Sequence, residues 1–158
     1  MRAARWPFGF ALAFAFSFSF AHAKKAPPAP APDPLAGCKR QKHSDVLTML
    51  TCDELTILDG LMPGTYSRKS IDGMLEQFAV GFPEDARRDR VLLEAGGQKL
   101  PSLRVSGDRS PKGPFQAQVV FAPSTGNRTR VVSCTGPHPG GGPDRCAAIL
   151  AVLIASPR

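Results

Sequence analysis

The sequence predicts an α+β fold, an antiparallel β-sheet packed with two short α-helices in the order ββαββββα and stapled by disulfides. Three observations carry this expectation. Ile71, Met74, Leu75, Phe78 and Ala79 fall at i, i+3, i+4, i+7 and i+8, as do Cys146, Ile149, Leu150, Leu153 and Ile154, which is the apolar stripe of a helix lying on a core. Phe115, Ala117, Val119 and Phe121 alternate with Gln116 and Gln118, the period of a half-buried strand. Four cysteines, Cys38, Cys52, Cys134 and Cys146, lie beyond an N-terminal stretch with the make-up of an export signal.

That stretch, residues 1–23, opens with Arg2 and Arg5, continues as an apolar run from Phe8 to Phe20, and closes on Ala21-His22-Ala23. Basic, apolar and small-residue regions in this order read as a secretory signal peptide cleaved after Ala23. The alternative is an uncleaved membrane anchor, since the apolar run is only a little short of the roughly 18 residues of a span. Residues 24–37 form a Pro/Ala-rich linker, a polyproline-like spacer of roughly 3 Å per residue that joins neither helix nor ladder. Residues 38–158 remain for a single α+β domain.

Trimming the leader changes the charge. The full chain carries +7; without Arg2 and Arg5 it has 18 basic against 13 acidic residues, and from His43 onward 13 against 12. The excess sits in Lys24, Lys25, Lys39, Arg40 and Lys42, so the folded body lacks the basic face that nucleic-acid binding requires. Membrane contact is expected only through the leader or this basic tail.

Four cysteines in an exported chain imply two disulfides, with three possible connectivities. Cys38–Cys52 and Cys134–Cys146 are favoured because each closes a short loop beside a predicted strand, worth roughly 3 kcal/mol in the chain-entropy description. Leu35-Ala36-Gly37-Cys38 also spells a lipobox. Its position beyond a proline-rich run, and the odd thiol that acylating Cys38 would leave at Cys52, argue against lipidation.

In chain order, Val46–Cys52 and Leu55–Asp59 read as strands, broken by Asp53-Glu54, and residues 60–69 as a loop containing Pro63-Gly64. Ser70 is the expected N-cap of a helix over Ile71–Val80, stopped by Gly81 and Pro83, with Gly73 offering close approach to a sheet. Glu84–Arg90 reads as a solvated mixed-charge turn or helical extension. Val91–Ala95 and Gln98–Ser106 form a hairpin about Gly96-Gly97, with Pro101 marking the second arm as an edge or bulged strand. Residues 124–127 turn the strand of Phe115–Phe121 into one ending at Cys134, and Asn127-Arg128-Thr129 is formally a glycosylation sequon. The glutamines of 115–121 favour one open sheet face. A Gly/Pro loop, 136–143, then leads to the last helix, with Pro143 and Asp144 suited to its first turn.

A hairpin followed by a helix, a strand meander and a short apolar C-terminal helix, here Ile149–Ile154 running on to Ser156, resembles the PsbP-like α/β/α sandwich superfamily, which includes small exported bacterial proteins. The resemblance covers residues 45–156 and implies a binding or assembly role more often than catalysis. It carries no functional residue over.

Chemistry-bearing motifs are few. Cys38, His43, Cys52 and His138 lack the paired spacing of a zinc site. No Gly-x-Ser-x-Gly elbow supports a triad, and the 136–143 loop lacks the Gly-Lys-Ser/Thr ending of a phosphate loop. No cofactor is expected. The candidate binding residues are His138, in the 136–143 loop, and Tyr66 and Arg68, in the 61–69 loop, together with any open sheet face. The expectation is therefore a monomeric secreted or periplasmic binding module of the cell envelope, with an envelope protein or polymer as partner. A small exported hydrolase or enzyme inhibitor, or a membrane-tethered structural protein, is the alternative.

Overall fold

The computed structural model describes residues 33–108, 112–138 and 145–157. The expected leader and cleavage site, the prolines up to Pro32, and Pro143 and Asp144 lie outside the described residues. The elements run β1 (Lys39–Lys42), β2 (Leu47–Cys52), β3 (Leu55–Pro63), α1 (Arg68–Ala79), β4 (Arg87–Ala95), β5 (Gln98–Asp108), β6 (Pro114–Ser124), β7 (Arg128–Pro137) and α2 (Arg145–Ala155). The expected order is present with one strand added in front. All strands join a single antiparallel sheet in the spatial order β1-β2-β3-β7-β6-β5-β4.

Alternation along the strands sorts side chains to two faces, and a helix covers part of each. On one face Leu50, Cys52, Ile57, Val120, Val132 and Leu93 meet Cys146, Ile149, Leu150 and Leu153 of α2. On the other Leu103, Val105, Ala117, Val119 and Phe121 meet Leu75 and Ala79 of α1, with Ile71, Met74 and Phe78 at the margin. Both predicted helical stripes are thus the packed faces. Burying a side chain of the size of Leu150 contributes roughly 1.5–3 kcal/mol.

Both expected disulfides, Cys38–Cys52 and Cys134–Cys146, are formed. No helix among the described residues is long and apolar enough to cross a membrane.

Several local expectations are corrected. The polar run Lys39–Lys42 is strand β1, which no apolar alternation announces; it is fastened to β2 by ladder pairing and by the adjoining disulfide. β3 continues to Pro63 because β7 pairs along its whole length, as far as Pro63 opposite Arg128. The N-cap of α1 is Ser67, whose Oγ accepts from the Ser70 N–H at 3.2 Å, so the helix starts three residues before the expected Ile71. Gly73 packs against nothing: a Cβ there would meet no atom within 4 Å. Arg87–Arg90 belong to β4 and not to a turn, since the ladder to β5 extends through them. β5 is an interior strand. Its pairing to β6 begins at Ser102, so Pro101 falls where β5 has a neighbour on the β4 side alone and its missing N–H is tolerated. The glutamine face of β6 is closed, with Gln116 and Gln118 buried; Gln118 Nε2 donates to Ser102 Oγ at 2.9 Å, and Ser102 Oγ donates to the Val119 carbonyl at 2.7 Å.

The face that does lie open is elsewhere. Met49 stands opposite Leu58, Leu58 opposite Ser133, and Ser133 opposite Val119, which places Met49 and Leu58 on the α1 side of the sheet. α1 covers β5 and β6 there, and Leu47 and Leu58 remain 37% and 42% exposed.

Candidate functional site

The end of the sheet where β2 turns into β3 and β7 finishes carries two adjoining clefts. One, of about 240 Å³, is lined by Asp53, Glu54, Leu55, Gln116, Pro137, His138 and Arg145. The other, of about 320 Å³, includes Thr56, Phe82, Lys112, Phe115 and Thr135, and shares Glu54, Gln116 and Pro137 with the first. Glu54 therefore borders both.

The first cleft is built from segments that the disulfides hold. Asp53 follows Cys52 and takes a left-handed backbone, φ 54°, at the β2–β3 turn. Arg145 precedes Cys146 at the start of α2, and its guanidinium donates to Asp53 Oδ2 at 2.7 Å. This ion pair joins the two disulfide-anchored segments across the mouth of the cleft. Gln116 lines the cleft as a buried side chain and donates from Nε2 to the Pro137 carbonyl at 3.1 Å, while the His138 N–H donates to the Pro114 carbonyl at 3.0 Å. Gly136 lets β7 pass against the turn: a Cβ there would sit 2.7 Å from Leu55 Cδ2 and 2.9 Å from the Glu54 carbonyl.

His138 lines this cleft, whereas Tyr66 and Arg68 do not. Tyr66 donates its hydroxyl to the Pro63 carbonyl at 3.0 Å, and Arg68 opens α1. Pro63 pairs with Arg128, the first residue of β7, and His138 follows its last, so the two places are separated by the length of that strand, roughly 30 Å. The three residues predicted together thus belong to opposite ends of the sheet. Gly136 and Pro137, expected in a loop, end β7, and residues 139–144 of that loop lie outside the described residues.

Sequence reading passed over Glu54, Gln116 and Arg145. Asp53-Glu54 read only as a break between two strands, and Gln116 as facing an open side of the sheet. The usable signal was adjacency: Asp53 and Arg145 each directly neighbour a half-cystine, which fixes a charged group in place. Chemically the first cleft offers two carboxylates, one imidazole, one guanidinium and one amide beside the apolar Leu55 and Pro137, and among its described lining residues there is no hydroxyl or thiol. Among the described residues no group of three or more His, Cys, Asp or Glu side chains stands ready to hold a metal ion. Two formed disulfides fit an oxidising compartment, extracellular or periplasmic. No protein-family model matches the chain, and no curated protein matches it.

Proposed function

We propose that the protein is an exported, non-enzymatic binding module of the cell envelope that holds a polar partner in the cleft bordered by Glu54 and His138. Export rests on the leader of residues 1–23, cleaved after Ala23, and the Pro/Ala spacer holds the domain away from its point of attachment or release. The likeness of the element order to the PsbP-like superfamily belongs to the same proposal.

One observation carries the reading: both disulfides anchor walls of a single cleft, and the Arg145–Asp53 ion pair ties those walls together. A site whose walls are fixed in advance loses little entropy on binding, the property of a recognition surface.

The test is site-specific photo-crosslinking in envelopes of an exporting Gram-negative host. A benzophenone side chain placed at position 138 is expected to give a discrete adduct, and the same group at position 66, at the other end of the sheet, none. Equal labelling from both positions, or no adduct from 138, contradicts the assignment.

A further inference from the structure

Among the described residues, the outer edge of β1 pairs with no further strand. β1 ends the sheet, and all four of its residues, Lys39, Arg40, Gln41 and Lys42, are exposed. Its hydrogen-bonding direction is fixed by the turn that follows. The His43 N–H donates to the Leu47 carbonyl at 3.0 Å, and the register then continues through Gln41 opposite Met49 and Lys39 opposite Thr51. Antiparallel pairing alternates, so Lys39 and Gln41 bond inward to β2, while the N–H and C=O of Arg40 and Lys42 point outward. These outward groups are a template for one more strand.

Charge decides which strand fits. Lys42 is engaged by Asp45 at 2.7 Å, but among the described residues neither Lys39 nor Arg40 has an acidic partner. A second copy of β1 brings like charges opposite one another and is disfavoured. The preceding segment of this chain has proline at 27, 28, 30, 32 and 34, and proline has no N–H to give to a ladder. We propose that β1 accepts an extended acidic segment of another polypeptide, with adjacent carboxylates facing Lys39 on one face of the sheet and Arg40 on the other. Met49 and Leu58, on the two strands next to that edge, form an apolar face within the same uncovered half of the sheet.

The test uses protein expressed from its full-length sequence and a short capped peptide of threonine and valine with two adjacent central glutamates, labelled for fluorescence anisotropy. Two further versions are N-methylated, each at one of the two alternating sets of residues. The unmodified peptide is expected to bind at up to millimolar concentration, and only one of the two N-methylated sets to abolish binding, because alternate residues face β1. Lys39→Gln with Arg40→Gln is expected to weaken binding about three- to tenfold, and Arg87→Gln on the opposite edge to leave it unchanged. Equal binding of all three peptides, equal binding of polyglutamate or anionic vesicles, or no binding of the unmodified peptide overturns the proposal. None of these outcomes bears on crosslinking at position 138.

Discussion

The two edges of the sheet carry the same number of cations and use them differently. On β4, Arg90 reaches Asp72 at 2.7 Å and also Glu76, Arg87 holds Asp89, and Arg88 donates to the carbonyls of Pro83 and Glu84. The Glu76 hydrogen bond, with Asp72 beside it, raises the Arg90 guanidinium above its ordinary pKa. On β1, Lys42 meets Asp45 while Lys39 and Arg40 face solvent. At β4 Arg90 pins α1 and Arg88 the turn after it to the sheet, so these two serve the fold. At β1, among the described residues, Lys39 and Arg40 have no acidic partner, so they are available to a partner chain. Charge count alone cannot distinguish these uses; the position of neighbouring acids can.

The limiting case of an arginine spent on the fold is Arg130. Buried on β7, it forms a two-pronged pair with Asp59 of β3 at 2.9 Å and donates to the Ser156 carbonyl beyond α2 at 2.8 Å. Arg130→Ala removes the two-pronged guanidinium contact from the buried Asp59 carboxylate, and a loss of about 3–5 kcal/mol is expected in urea denaturation. A loss below about 1 kcal/mol would contradict a structural role for this pair. Replacing Cys38 and Cys52 together by serine unfastens the β1 edge. It is expected to cost roughly 3 kcal/mol, model-dependent, and to abolish amide-exchange protection in β1 while β5 and β6 keep theirs.

Gly136→Ala sharpens the contrast between the cleft and the edge. The added Cβ meets Leu55 and the Glu54 carbonyl, so about 1–3 kcal/mol of destabilisation is expected together with lost crosslinking at 138. Peptide binding at β1 should survive it. Arg90→Gln should lower the urea midpoint by less than these changes, and by less still at high salt. Lys39→Gln with Arg40→Gln should leave the midpoint unchanged. The smallest effect belongs to Asp45, whose carboxyl the Lys42 hydrogen bond holds below its ordinary pKa. Its contribution is present above the unfolded carboxylate pKa and fades as pH falls through the folded value. With the two side chains 66% and 94% exposed, Asp45→Asn should barely move the acid limb of the stability curve.

Which of these features the sequence announces follows from where their information lies. Helix stripes are local, and Leu75, Ile149, Leu150 and Leu153 show their burial through spacing alone. The cysteines too are legible, because short loops and an export signal narrow the pairing. β1 is not, because Lys39–Lys42 is a strand through its register to β2 and has no apolar period of its own. Gln116 misleads for a related reason: a glutamine on the alternate face of β6 reads as solvent-facing, and only the tertiary cover of that face reveals it as buried. The cleft was half legible. His138 stood out as one of few histidines, but its separation from Tyr66 and Arg68 depends on how β3 and β7 pair, which no local pattern encodes.

As proposed, the protein is an exported domain whose two disulfides frame its binding cleft. Intact mass of the protein, expressed with its own leader in a Gram-negative host and alkylated with and without reduction, tests it most directly. The predicted species begins at Lys24 and takes up four alkyl groups only after reduction, one for each cysteine. A species that retains residues 1–23, begins at an acylated Cys38, or is alkylated without reduction would contradict it.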